Sequence, residues 1–202
     1  MQVVSKGRAR YFMSFIDDYS RKVWVYFLKN KSKAFVKFKK WKAKVENQIG
    51  RKIKCLRSDN GTEYKDGEFL KFCEDHGIKR HFTVRRTPQQ NGMAERLNRT
   101  INEIARCIRL NAGLPKVFWA EAVNMACYIL NRSPRAALDG KVAEEAWTGK
   151  EVDYSLMRIF GCPAYVHIPI EERSKLDSNS KKCIFLEFKK GVKGYKLWDP
   201  VA

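Results

Sequence analysis

Two acidic side chains in a very basic chain have the types and spacing for metal-dependent chemistry. Asp59 follows a short apolar run that ends at Leu56, and Glu95 comes after 35 intervening residues, early in a predicted helix. Hard cations such as Mg²⁺ or Mn²⁺ need oxygen ligands on fixed elements, and a carboxylate after a strand plus one on a helix can supply them. We therefore predict that Asp59 and Glu95 are the metal ligands and catalytic residues of a phosphoryl-transfer site.

The residues around both carboxylates form two motifs. S-D-N-G-T-E-Y at 58–64 contains Asp59, and T-P-Q-Q-N-G-M-A-E-R-L-N-R-T at 87–100 contains Glu95. With the D-x35-E spacing, they resemble the integrase catalytic core of copia-type retrotransposons, a member of the retroviral integrase and ribonuclease H superfamily. The resemblance extends over nearly the whole chain, through D-D-Y-S-R at 17–21, L-N-R-S-P at 130–134, F-G-C-P-A-Y at 160–165 and G-Y-K-L-W-D-P at 194–200.

This resemblance implies an α/β fold with two parts. Residues 1–134 would form a ribonuclease H-like core, a mixed sheet with flanking helices, and 135–155 a linker. Residues 156–202 would form part of an SH3-like β unit. The implied cofactor is Mg²⁺ or Mn²⁺ and the implied partner is DNA, contacted by Asn60, Gln89, Gln90, Asn91, Arg96, Arg99 and Arg106.

One expected metal ligand has no counterpart in this sequence. Integrases of this type hold two divalent ions with three carboxylates, and the first aspartate would lie on an opening strand upstream of Met1. Asp17 and Asp18 lie at a hairpin tip, which does not match that position. We expect weak metal affinity and no activity from this chain alone, with DNA integration as its ancestral process. Backbone groups left unpaired in the sheet interior would also make the fragment marginally stable.

Composition favours a polyanion as partner. Forty-one Lys and Arg against 22 Asp and Glu give a formal charge of +19. No apolar run approaches the roughly 18 residues of a membrane span, and no signal peptide is evident. We expect a nuclear or cytoplasmic chain without membrane association or small-molecule cofactor, and leave homo-oligomerisation open. The scattered cysteines favour reduced thiols over disulfides or zinc sites.

Hydrophobic periodicity predicts the elements that would position the two carboxylates. Two short runs rich in β-forming residues, joined by D-D-Y-S-R, predict a hairpin at 10–16 and 22–28. Apolar residues that recur every three or four positions predict helices. Residues 84–92 are expected to be a mobile loop that closes on DNA, with Asn91 as an ordinary helix N-cap. The other predicted helices are 32–50, 66–76, 91–110, 115–131 and 143–147, and the other strands are 52–57, 78–83, 164–168, 182–188 and 194–198.

The helix at 91–110 is the most informative of these elements. At 100° per residue, Glu95, Arg99 and Arg106 share one side, with Arg109, and apolar residues take the other. This side would lie along DNA phosphates, or it is a solvated face on which Arg99 pairs with Glu95.

Two other functions remain open. The chain could be a non-catalytic DNA-binding module, or an interaction remnant whose hairpin pairs with another chain's sheet edge. Three residues depart from the family pattern: Met93 replaces Val, Ala143 replaces Pro and Glu187 replaces Gly. We expect Glu187 to crowd any close backbone approach.

Overall fold

A computed structural model describes residues 3–59, 61, 67–83, 88–188 and 194–201, with the side chains of 88–91 left out. Most of the predicted elements are present within a few residues of their expected bounds. In chain order they are β1 (Tyr11–Ile16), β2 (Val23–Leu28), α1 (Ala34–Ile49), β3 (Cys55–Ser58), α2 (Gly67–Asp75), β4 (Lys79–Phe82), α3 (Pro88–Asn111), α4 (Trp119–Arg132), α5 (Ala143–Thr148), β5 (Pro163–His167), β6 (Ser180–Phe188) and β7 (Tyr195–Trp198).

The β1–β2 hairpin is antiparallel and covered on both faces. Side-chain alternation sends Met13 and Phe15 into one apolar cluster and Phe12 and Ile16 towards another. Helix α1 covers the first face, where Phe15 stacks on Trp41 with ring centroids 4.2 Å apart. This helix ends as predicted at a glycine with a left-handed backbone, Gly50 (φ 63°).

Strands β3 and β4 form a second, separate pair. They are parallel, and α2 forms the connection between them, burying Phe69 and Cys73. Within the described ranges, β1 bonds only to β2 and β3 only to β4, so no strand joins the two pairs. Strands β1 and β3 therefore each have an edge without a strand partner in the described part of the chain.

The predicted loop before α3 is partly wrong. Residues 84–87 lie outside the described part, but α3 already begins at Pro88, three residues before the predicted start. Proline favours this position because its fixed φ suits the first helical turn and its missing N–H costs no hydrogen bond there. Gln89, Gln90 and Asn91 are consequently helical residues, and Asn91 is not the N-cap.

Helix α4 is the centre of the larger apolar cluster. Its side chains Ala122, Val123 and Ala126 are almost fully buried, and they meet Ile101 and Ala105 of α3. The predicted C-terminal unit is the antiparallel sheet β5-β6-β7, and it packs on the same cluster through Phe185 and Leu186. Short α5, within 135–155, also packs inwards: Trp147 meets Trp24 edge-on with centroids 4.9 Å apart.

Glu187 lies in a polar contact between the C-terminal sheet and α4. The β6–β7 register shifts between Phe185 and Glu187, which turns the Glu187 carboxylate towards a hydrogen bond from Asn124. Lys196 of β7 donates to Glu187 and to the buried Glu121, both at 3.0 Å. Burial lowers the pKa of Lys196, but the hydrogen bonds to the two carboxylates outweigh this and raise it overall.

Cysteine pairing and membrane spans are both absent from the described part of the chain. All six cysteines are free, and two of them, Cys55 and Cys107, are exposed. None of the helices found in the described ranges has both the length and the apolar character needed to cross a bilayer.

Candidate functional site

Asp59 directly follows β3, where its carboxylate is exposed. Its Oδ1 accepts a hydrogen bond from the backbone N–H of Gly61 at 3.1 Å. Asn60, predicted to contact DNA, lies outside the described residues. The structure thus presents the Asp59 carboxylate to solvent at the carboxyl end of a parallel strand.

Glu95 lies on the solvent side of α3 in the company of arginines. Glu95, Arg99 and Arg106 line one shallow hollow of about 550 Å³, and we call these three residues the α3 face. The same hollow is also lined by Asn98, Asn102 and a second carboxylate, Glu103. The helical periodicity predicted this grouping. Arg109 does not belong to it, because its Nη1 donates to the carbonyl of Leu114 at 2.6 Å and holds the turn after α3.

The charges of the α3 face are not neutralised by each other. Among the residues described, no carboxylate lies within ion-pair distance of Arg99 or Arg106, and Glu95 has no cationic partner. An ion pair between Glu95 and Arg99, one of the two alternatives for this side of the helix, is therefore absent. Arg96 turns back along the helix, since a Cβ at Gly92 would lie 3.5 Å from its Nη1. The α3 face keeps exposed guanidinium groups that can meet phosphate oxygens.

Two polar contacts anchor α3 on the hairpin. The hydroxyl of Ser14 in β1 donates a hydrogen bond to Asn98 Oδ1 at 2.8 Å, and Arg21 Nη1 lies 2.7 Å from Met93 Sδ. These contacts fix the amino-terminal half of α3 across β1 and the hairpin turn. The sequence interpretation missed Asn98 as a positioning residue. Its place three residues after Glu95, between the polar and apolar sides, was the available signal.

The two predicted metal ligands lie on separate elements. No hydrogen bond or common hollow joins Asp59 to Glu95 in the part of the chain that the structure describes. The described ranges also contain no group of three or more His, Cys, Asp or Glu side chains suited to a metal ion. Two carboxylates are fewer than a two-metal site needs, so the described donor set does not fit such a site. The metal roles of Asp59 and Glu95 stay a prediction.

Two family models match the chain. The integrase core domain model matches residues 1–88, and the retroviral polymerase SH3-like domain model matches residues 162–202. The second match includes all of strands β5, β6 and β7.

Plant retrotransposon proteins are similar along almost the entire sequence. The retrovirus-related Pol polyprotein from transposon TNT 1-94 of Nicotiana tabacum is 52% identical over 201 residues, which is 100% of this chain. That from transposon RE2 of Arabidopsis thaliana is 33% identical over 189 residues, or 92% of this chain. The chain spans only 15% and 13% of these curated relatives.

Solved viral structures share the fold at low sequence identity. The HTLV-2 integrase catalytic core domain in complex with magnesium (trimeric form) gives a TM-score of 0.52 at 22% identity, covering 67% of this chain and 82% of that one. A chain of the simian T-cell lymphotropic virus intasome, in complex with PP2A regulatory subunit B56 gamma, gives 0.55 at 16% identity, covering 93% and 69%. The likeness extends over both the α/β part and the C-terminal sheet.

Proposed function

Because this chain carries an integrase core domain followed by a retroviral SH3-like domain and is homologous to Pol polyproteins of copia-type retrotransposons, we propose that it is the DNA-handling segment of such a polyprotein. Its ancestral process is DNA integration by metal-dependent polynucleotide transfer. As an isolated 202-residue chain it binds DNA through the α3 face and does not transfer strands.

The exposed, unpaired arginines of α3 are the observation that carries this proposal. Arg99 and Arg106 line one hollow on a helix whose opposite side is buried in the core. A helix packed on the core holds the backbone of these two arginines in place, so their side chains can meet phosphates without ordering the chain. The formal charge of +19 adds long-range attraction to any polyanion.

The inactivity proposed for the isolated chain follows from ligand number. Divalent metal dependence is expected for the family, and the HTLV-2 relative is a complex with magnesium. In this chain Asp59 and Glu95 are the only ligands that we assign, and two carboxylates provide too few oxygen donors to hold two ions. DNA binding through Arg99 and Arg106 needs neither carboxylate.

A charge-reversal experiment tests DNA binding. The double variant Arg99→Glu/Arg106→Glu should weaken duplex DNA binding, measured by fluorescence anisotropy. It should also make the negative slope of log K against log salt shallower by about 1.8, or about 0.9 per lost phosphate contact. The matched control Lys40→Glu/Lys175→Glu changes the charge equally at exposed positions outside the hollow and should retain most of the affinity. Equal losses in both double variants would show that net charge alone binds DNA.

A second experiment tests catalysis. The purified chain with Mn²⁺ and a labelled duplex should give neither strand transfer nor nicking. Product that disappears in Asp59→Asn would contradict the proposed inactivity. In the binding assay, Glu95→Gln should bind DNA at least as tightly as the parent chain, because it removes a negative charge from the α3 face.

The open strand edges favour a second candidate function, interaction with another chain. Strands β1 and β3 each have an edge without a strand partner among the described residues, and an added strand could bond there. Sedimentation of the chain at several salt concentrations separates the candidates. Strand pairing should survive salt that disrupts phosphate contacts, whereas DNA binding should not.

A further inference from the structure

A basic cleft lies outside the α3 face, at the opposite end of β3 from Asp59. It has a volume of about 1230 Å³ and is formed by the hairpin turn, the end of α1, the segment entering β3, and α5 with the residues after it. Lys54 precedes β3 and Asp59 follows it, so the strand separates them by about 16 Å at 3.3 Å per residue. We call it the basic cleft, and its ionic and aromatic lining residues are Asp17, Tyr19, Lys22, Arg51, Lys52, Lys54, Glu144, Trp147 and Lys150.

Positive charge dominates the basic cleft. Five basic side chains face two acidic ones, a net charge of +3. Both carboxylates already have partners: Glu144 accepts from Lys22 at 2.8 Å, and Asp17 accepts from the N–H and hydroxyl of Ser20 at 2.7 and 2.8 Å.

Four cations are left over after this pairing. They are exposed, and no carboxylate in the described ranges lies within ion-pair distance of any of them. These four residues are Arg51, Lys52, Lys54 and Lys150. Because they come from two different walls, an anion that spans the cleft would neutralise both walls at once.

The basic cleft also offers an aromatic surface. Tyr19 is 85% exposed at the tip of the hairpin turn. The turn that carries it is fixed, because Asp17 bonds both groups of Ser20 and the backbone N–H of Arg21 donates to the Asp17 carbonyl at 3.0 Å. Half-buried Trp147 lies against Trp24 on the opposite wall. An exposed ring on a fixed turn, in the same cleft as cations without a carboxylate partner in the described ranges, is a combination that binds unpaired bases and their phosphates.

From these features we infer that the basic cleft binds a single-stranded polynucleotide, with phosphates on Lys54 and Lys150 and one base stacked on Tyr19. Duplex DNA offers no free base face to a tyrosine, so the ring favours a single strand. Unpaired DNA and RNA share the phosphates and base faces that this arrangement recognises. The surface is distinct from the α3 face and does not depend on its proposed role.

The test compares three labelled probes with the 202-residue chain: oligo(dT), oligo(U) and a duplex of equal length. Tyr19→Ala should weaken binding of both single strands by about 5- to 150-fold, the range measured for one base–aromatic stack, and leave duplex binding unchanged. Lys54→Glu/Lys150→Glu should weaken single-strand binding by about tenfold or more, since two phosphate contacts become repulsive. The control Lys40→Glu/Lys175→Glu should lose far less.

Several outcomes would overturn the inference. They are unchanged single-strand binding in Tyr19→Ala, an equal loss of duplex binding in that variant, or equal losses in the two lysine double variants. Arg99→Glu/Arg106→Glu distinguishes the two proposals, because it should weaken duplex binding and spare the basic cleft. Every substituted side chain is solvent-exposed, and circular dichroism verifies that each variant is folded.

Discussion

Removing Lys196 should destabilise the contact between the C-terminal sheet and α4. The side chain of Glu121 is only 6% exposed, and its Oε1 accepts from Lys196 at 3.0 Å while its Oε2 has no partner among the described residues. Lys196→Met would therefore leave a buried carboxylate without its cation. Breaking a buried pair on one side costs about 3 to 5 kcal/mol. Lys196 is itself 47% exposed, so water screens the pair, and we expect about 2 kcal/mol.

Thermal unfolding measures this loss. For a chain of this size, 1 kcal/mol shifts Tm by about 2 to 4 °C, so Lys196→Met should melt about 4 to 8 °C lower. The matched control is Lys181→Met in the same sheet, which removes a pair with Asp199 at 2.7 Å on the surface. That variant should melt close to the parent chain, because exposed pairs contribute little.

Two further measurements separate the charge effect from packing. Glu121→Gln in the Lys196→Met background removes the stranded charge and should recover most of the lost Tm. Since the folded pKa of Lys196 is raised, its contribution is complete below the ordinary lysine value of 10.5 and is lost as pH rises through the folded value. The difference in Tm between the parent chain and Lys196→Met should thus become smaller in strong alkali. Equal Tm losses in Lys196→Met and Lys181→Met would refute the reasoning.

Three other predictions concern stability. Gly161→Ala should lower the free energy of unfolding by about 3 kcal/mol, because alanine is strained at φ 83° and its Cβ would overlap the Ala112 methyl. The control Gly149→Ala, at φ 68° but with open space around it, should lose less in urea unfolding. Asn131→Ala should lower the free energy of unfolding by about 2 to 4 kcal/mol, since the Asn131 side chain bonds the backbone N–H and C=O of Val23 at 2.9 and 2.7 Å. A urea midpoint that matches that of the parent chain would contradict this. For Glu46, burial raises the pKa, but hydrogen bonds lower it overall. Its contribution to stability is therefore complete above pH 4.5 and is lost as pH falls through the folded pKa. The Tm of Glu46→Gln should accordingly approach that of the parent chain in acid.

Local patterns predicted most of the elements. Two runs rich in aromatic and β-branched residues, joined by a turn, predicted the hairpin. Apolar spacing of three and four residues predicted α1 up to its terminal Gly50. The start of α3 was missed because T-P-Q-Q-N-G combines residues typical of turns. In the structure Pro88 instead supplies a favourable first helical position, a choice that the local sequence does not decide.

The two candidate surfaces differ in how far the sequence predicts them. The grouping of Glu95, Arg99 and Arg106 follows from helix geometry alone, so the sequence was sufficient to predict it. The basic cleft depends on contacts between distant segments. Tyr19 and Lys150 are 131 positions apart in the sequence and share one cleft because α5 packs its tryptophan on β2. No sequence period reports that packing.

The two separate strand pairs also bear on how the protein behaves in solution. An open strand edge is a template on which identical chains can stack into aggregates. Here the formal charge of +19 opposes such stacking by mutual repulsion. Colloidal stability and strand geometry are thus linked in this chain: the same lysines and arginines that attract polyanions keep its molecules apart, and concentrated salt weakens both effects together.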